Sequence, residues 1–365
     1  MTVMKGQAHP KAAGQAGAAL ATKILVVGPS WVGDMVMSQS LYRVLRERRP
    51  GCQIDVLAPA WSEAILARMP EVRRAINLPL AHGELGWAKR RALGHSLRAE
   101  HYQQAILLPN SLKSALVPWF ARIPQRTGWR GEMRYGLLND LRRLDENALP
   151  LMVERFVALG LAPVEALPET IPAPALVADA ELAQLAAERF GIDPKRPILA
   201  LCPGAEFGSA KRWPESHFAA VARHYLQQGW QVCLYGSAND APVTATIHQA
   251  SGEQAASFDL AGRTSLAEAV DLLSLSTAVL SNDSGLMHIA AALERPTVAV
   301  YGPTSPAFTP PLSKRSATVL STIDCAPCFE RECPLGHHRC MQELAPQRMI
   351  DTLDALHSNS PAQSI

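Results

Sequence analysis

Asn282-Asp283-Ser284-Gly285, with His288 one turn further on, closes the apolar run 277–280 and opens an Ala-rich segment. A second apolar run, 297–301, follows and ends at Gly302-Pro303-Thr304. The order is strand, tight loop, helix, strand, with polar residues gathered where the first strand ends. In open α/β sheets, ligands bind beyond the carboxyl ends of strands, and the free N–H groups of a helix start suit phosphate. Asp283 reads as the cap of that helix, and the N–H groups of Ser284 and Gly285 as phosphate donors. His288 has two readings, a site residue or a satisfied packing residue on an Ala-rich helix.

Two further loops carry chemistry. The first, Gly28-Pro-Ser-Trp-Val-Gly33-Asp34, follows an apolar run and places a carboxylate at a helix start. Asp34 either caps that helix or serves as a general base aimed across a cleft. The loop lacks the glycine fingerprint of dinucleotide binders and the Lys-Ser/Thr ending of a P-loop, which disfavours a nicotinamide oxidoreductase and an NTPase. The second loop, 203–214, holds Gly204, Glu206, Gly208, Lys211 and Arg212 ahead of Trp213-Pro214. Its glycines permit close backbone approach, and its cations could neutralise a leaving diphosphate. The chain has no Asp-x-Asp pair, so a divalent metal held by two carboxylates against a diphosphate is not indicated, and no cofactor is expected.

The elements that must position these loops alternate along the chain. Apolar runs at 23–28, 54–58, 74–78 and 104–108 read as parallel strands, with helices over 35–49 and 64–69. A Pro/Ala-rich stretch, 161–177, has linker composition. The pattern then restarts with strands at 198–202, 231–235, 278–280 and 297–301 and helices over 215–228 and 266–274. A chain of 365 residues exceeds the usual limit of one core. The expected fold is α/β, two Rossmann-like doubly wound domains facing a central cleft. Its divisions are an extension 1–22, a first domain 23–170, a second 171–342, a C-terminal helix 343–357 packing back on the first domain, and a tail 358–365.

Composition narrows the class. Formal net charge is +2 and 19% of residues are charged, a balance that does not ask for nucleic acid. Eleven Lys/Arg do gather between 86 and 143, among them Arg126, Arg130 and Arg134. They read as solvated helix faces, or as a docking surface for an acidic acceptor or an anionic membrane face. Of seven cysteines, Cys52, Cys202 and Cys233 sit in or beside apolar runs as core residues, which suits a reducing compartment. Cys325, Cys328, Cys333 and Cys340 lie close together; the first pair has zinc-like spacing and the second does not repeat it. A Cys-rich loop packed near the cleft is the preferred reading. The first 22 residues lack the apolar core of a signal peptide, and no stretch is long enough to span a bilayer, so a cytoplasmic location is expected.

Taken together, SWVGDMVMSQSLYRVL, PGAEFGSAKRWP, SNDSGLMHIAAAL, YGPTSP and DCAPCFERECPLGHHRCM resemble glycosyltransferase family 9 over 23–356. The resemblance implies two Rossmann-like domains of GT-B type and inverting transfer of heptose from ADP-heptose to heptosyl-Kdo2-lipid A of the lipopolysaccharide inner core. It implies Asp34 as the base and Lys211 at the diphosphate, the two catalytic residues. The expected donor-binding set is Gly33, Gly204, Glu206, Lys211, Arg212, Thr264, Asp283, Ser284, Gly285, His288 and Thr304. The expected acceptor set is Arg126, Arg130 and Arg134, at the cytoplasmic face of the inner membrane. Another nucleotide-sugar transferase or an epimerase of the same fold is the alternative.

Overall fold

The computed structural model describes residues 22–80, 83–206, 208–252 and 254–358; most of the expected extension and tail lie outside them. The strands are β1 (Lys23–Val27), β2 (Gln53–Ala58), β3 (Val72–Asn77), β4 (Gln104–Leu107), β5 (Gln125–Trp129), β6 (Asp140–Arg142), β7 (Ile198–Cys202), β8 (Gln231–Leu234), β9 (Ser257–Asp259), β10 (Ala278–Asn282), β11 (Thr297–Tyr301) and β12 (Ser316–Leu320). They form two six-stranded sheets, β3-β2-β1-β4-β5-β6 and β9-β8-β7-β10-β11-β12, with every neighbouring pair parallel. The second sheet repeats the order of the first. Each therefore has a switch point where the strand order reverses, between β1 and β4 and between β7 and β10, and there a crevice opens at the carboxyl ends.

The helices are α1 (Val32–Met37), α2 (Gln39–Arg48), α3 (Glu63–Leu66), α4 (Trp87–Ser96), α5 (Leu116–Phe120), α6 (Met152–Gly160), α7 (Ala180–Phe190), α8 (Glu215–Gln227), α9 (Ala241–Ser251), α10 (Leu266–Ser274), α11 (Gly285–Ala292), α12 (Arg339–Gln342) and α13 (Pro346–Ser358). Central strands β7, β8, β10 and β11 are buried along their whole length, as parallel strands covered on both faces must be. The helix expected over 35–49 is two helices. Ser38 interrupts it, its hydroxyl donating to the Met35 carbonyl at 2.6 Å, a local bond that competes with the helical ladder.

The last helix departs from expectation. α13 packs on the second half, not the first: Met349, Ile350 and Leu353 are buried in the core beneath β7, β8, β10 and β11. Tyr225 of α8 donates its hydroxyl to Asp354 at 2.8 Å, and Trp213 donates its indole N–H to the Leu344 carbonyl at 2.9 Å. Each of those three apolar side chains contributes about 1.5–3 kcal/mol by burial, which fixes the helix where it lies.

The two halves meet along a seam. Stretch 161–177 carries no helix or strand, and Gln39 of α2 clasps it, bonding Ala175 N at 2.9 Å and Ala175 O at 2.8 Å. Arg68 pairs with Asp271 of α10 across the seam. Across the seam α1 and α11, which follow the loops at 28–34 and 282–285, approach each other closely. A Cβ on Gly33 would lie 2.7 Å from His288 Cδ2, and one on Gly285 would lie 2.6 Å from Val32 Cβ. Glycine on each helix lets the two loops converge.

Candidate active site in the cleft

A cavity of 760 Å³ opens between the switch points of the two sheets. Trp31, Gly33, Asp34, Trp61 and Met152 line it from the first half. Gly204, Glu206, Lys211, Thr264, Asp283, Ser284, Gly285, His288 and Thr304 line it from the second. The structure thus brings together Asp34, Lys211 and the whole expected donor set except Arg212. That residue lies beside the cavity, its Nη2 3.9 Å from Asp240 Oδ1.

The second-half wall is held by short-range bonds. Lys211 Nζ sits 2.6 Å from Asp283 Oδ2, and Thr304 Oγ1 donates to the same oxygen at 2.8 Å. Asp283 is therefore an ion-pair partner, not the helix cap expected from its position. Ser284 is the N-cap residue of α11, and its side chain makes no capping bond, so the first N–H groups of α11 have no side-chain cap. Asn282 ties two segments to the end of β10: its Oδ1 accepts from Trp213 N at 3.2 Å and its Nδ2 donates to the Pro203 carbonyl at 2.7 Å. The loop carrying Lys211 is consequently fixed at both ends to the last residue of β10, which Asp283 follows.

Burial sets the protonation states. Asp34 is the third residue of α1 and makes no capping bond, and among the described residues its carboxylate has no hydrogen-bond partner. Desolvation in the cleft raises its pKa to about 6, opposed by the charge of Lys211 and assisted by that of Asp283. His288 is buried, and desolvation lowers its pKa to about 4 despite nearby Asp283, so its imidazole is neutral at pH 7. A carboxylate of raised pKa facing a cation and a helix N-terminus is an arrangement for removing a proton on one side while stabilising negative charge on the other.

Several lining residues have no counterpart in the sequence reading. Asp240 follows β8, with Oδ2 accepting from Ser237 N at 2.9 Å and Ser237 Oγ at 2.8 Å. Gly204 and Gly236 both press on it; a Cβ on either would fall 2.7 Å from its side chain. The signal was present: a carboxylate shortly after the second strand of a Rossmann unit is where a ribose hydroxyl is read. Trp61, Phe308 and Phe329 also line the cavity and lie outside any periodic pattern.

The expected acceptor arginines are not gathered here. None of the three lines the cavity. Arg134 is 1% exposed, and its guanidinium donates to the Pro109 carbonyl at 2.8 Å and to the Trp129 carbonyl. Arg126 donates to the carbonyls of Leu137 and Ile123. Backbone carbonyls left without a partner inside the first half demand donors, and these two side chains meet that demand. Arg130 is exposed.

The cysteine segment lies against the donor loop. Ala210 N donates to the Arg331 carbonyl at 3.1 Å, Phe329 N to the Pro303 carbonyl at 2.7 Å, and a Cβ on Gly208 would be 2.1 Å from Arg331 O. Cys340 is buried, its thiol pushed up by desolvation and then by the other three cysteines, while backbone N–H groups around His338 pull Cys333 down. Among the described residues no three His, Cys, Asp or Glu groups stand in metal-holding geometry.

Known proteins share this architecture and sequence. A family model for glycosyltransferase family 9 (heptosyltransferase) matches residues 90–339. Lipopolysaccharide heptosyltransferase 2 of Salmonella typhimurium is 50% identical over 343 residues, covering 92% of this chain and 99% of that one. Lipooligosaccharide heptosyltransferase 2 of Haemophilus influenzae is 48% identical, covering 91% and 99%. Among solved structures, the ADP-heptose lipopolysaccharide heptosyltransferase II of E. coli is 48% identical and aligns over 92% of this chain and 99% of that one, with a TM-score of 0.84.

Proposed function

The chain belongs to glycosyltransferase family 9, and from that premise we propose that it transfers L-glycero-D-manno-heptose from ADP-heptose to the first heptose of heptosyl-Kdo2-lipid A, with inversion and release of ADP. The acceptor occupies the first-half side, 23–170, and the donor the second-half side, 171–342. The observation that carries this reading is the opposition of Asp34 to Lys211 and the α11 N-terminus across one cavity.

Asp34 takes the proton from the attacking hydroxyl of the acceptor heptose. With a pKa of about 6 it is mostly ionised at pH 7 and still basic enough to accept a proton in the transition state. The acceptor oxygen forms its bond to the anomeric carbon as the bond to the β-phosphate oxygen breaks, and the electron pair leaves on ADP. Lys211 and the N–H groups at the start of α11 meet the charge developing on that diphosphate. Asp283 and Thr304 hold Lys211 and its loop in place, and neutral His288 packs under Gly33 to seat α1. Asp240 and Ser237 offer acceptors for the ribose hydroxyls. The lipid anchor of the acceptor places the enzyme at the cytoplasmic face of the inner membrane; among the described residues no helix is long and apolar enough to cross one.

The test is transfer by the purified chain, read by mass spectrometry of a core acceptor bearing one heptose. The expected product gains one heptose with ADP-heptose as donor and none with a UDP-sugar. No gain with ADP-heptose, or equal use of UDP-sugars, overturns the assignment.

A further inference from the structure

The helix α4 and the end of α5 form a surface that the cleft does not use. Trp87 is 50% exposed and Trp119 42%, and they sandwich the buried ring of Phe120 at centroid distances of 5.1 and 4.9 Å. The sandwich is built into the fold: Gly94 lets α4 approach so closely that a Cβ there would lie 2.4 Å from Phe120 Cβ. Two half-exposed indoles are thus held on a rigid base.

Cations surround them. Arg98 Nε donates to the Phe120 carbonyl at 2.9 Å, and His95 stacks edge-on to the same ring at 6.1 Å. Arg91 is exposed on α4, one turn before His95, and Arg122 is exposed just after α5; after desolvation, the charges of Arg98, Arg91 and Arg122 lower the His95 pKa. From Leu85 to Gly131 the sequence contains a single carboxylate, Glu100. Glu100 is neutralised by Lys23, Arg73 and Arg74 at 3.1–3.3 Å. The face is therefore cationic without an uncompensated acid on it.

Amphipathic rings beside exposed Arg are the composition of a membrane–water interface, and the positive potential complements anionic headgroups. We propose that the α4–α5 face is the surface by which this enzyme docks on anionic phospholipid, its Trp87 and Trp119 rings seated among the headgroups and Arg91, Arg98 and Arg122 facing lipid phosphate. This rests on the lipid-linked acceptor read above and names the surface that brings the cleft to it. Docking here is peripheral and reversible, and it falls as salt rises.

Co-sedimentation tests it, using the full chain with phosphatidylethanolamine vesicles containing about a quarter phosphatidylglycerol, and with phosphatidylcholine vesicles as contrast. The wild type is expected on the anionic vesicles and not on the zwitterionic ones. Arg91→Glu with Arg122→Glu should lower the partition coefficient at least about tenfold, and Trp87→Ser with Trp119→Ser should lower it severalfold. Transfer to a deacylated, soluble acceptor should stay at the wild-type rate in both variants, which shows that they are folded. If a double variant loses that activity, Arg91→Glu alone on the exposed helix face carries the test. Absence of wild-type binding to anionic vesicles, or unchanged binding by the variants, overturns the proposal; the first result would point to a protein partner for this face. Vesicle binding by a wild type that fails to transfer heptose would instead defeat the reaction assignment and leave the docking surface standing.

Discussion

On the second-half wall of the cleft Lys211, Thr304 and Asn282 are each tied by hydrogen bonds near the start of α11, whereas on the first-half wall the Asp34 carboxylate stands among Trp31, Trp61 and Met152 with no hydrogen-bond partner among the described residues. Both walls come from the same topology, β-strand order 3-2-1-4-5-6 written twice. The same fold has produced a preorganised charge-binding side and a sparse side with one desolvated carboxylate. Preorganised donors cost nothing to reorient during reaction, and a lone carboxylate held near neutrality is free to change charge. Lys211 is paired with Asp283, and its charge lowers the Asp34 pKa without cancelling the rise from desolvation.

Among substitutions on the organised wall, removing its cation should have the largest effect. Lys211→Ala is expected to lower kcat by about 100- to 1000-fold, the range for losing one preorganised charge-stabilising donor. If kcat stayed within a few fold, the helix start alone would suffice. The sparse wall is exposed by pH. With a carboxylate at about 6 in the free enzyme, kcat/KM should rise with pH, about tenfold per unit well below 6, and level off above 7. Since Lys211 lowers the Asp34 pKa, the residual activity of Lys211→Ala should show its inflection at higher pH than the wild type. An unmoved inflection assigns the titration to another group.

The contact between the walls comes next. Gly33→Ala puts a Cβ 2.7 Å from His288 Cδ2 and forces α1 off α11, which costs about 1–3 kcal/mol as overpacking. Thermal unfolding should register a fall of several degrees in Tm, and a Tm equal to wild type would show that the helices part freely. The smallest effect belongs to Thr304→Val. It removes one hydrogen bond to Asp283, worth about 1 kcal/mol, and should raise the KM for donor about fivefold with kcat little changed. A kcat loss matching that of Lys211→Ala would place Thr304 in the chemistry.

Legibility in the sequence follows burial. β7 and β11 match their expected ranges, and β1, β4 and β8 come within a residue, because a fully buried parallel strand is a continuous apolar run bounded by turn residues. Strands β5, β6, β9 and β12 escaped notice: they lie at or next to sheet edges, are three to five residues long, and carry polar residues at exposed or half-exposed positions. The site loops were legible because they interrupt apolar runs with Gly, Asp and Lys. Which partner each residue takes was not. Asp283 occupies a capping position in sequence yet pairs with a lysine 72 residues away, and Arg134 looks like a surface cation yet fills the interior of the first half. Pairing at such separations depends on how two loops converge, and local pattern contains no trace of it. The α13 placement failed for the same reason, since its apolar face suits either half and it is the contact with α8 and the second core that seats it.

The division of labour between the walls can be measured on one variant. For Asp34→Asn, ADP-heptose affinity by calorimetry and kcat by product analysis are read side by side on the same preparation. The account predicts an affinity within about twofold of wild type and a kcat lower by roughly 100- to 10,000-fold, the range for a lost general base. Turnover near the wild-type rate, or affinity and turnover falling together, would contradict it.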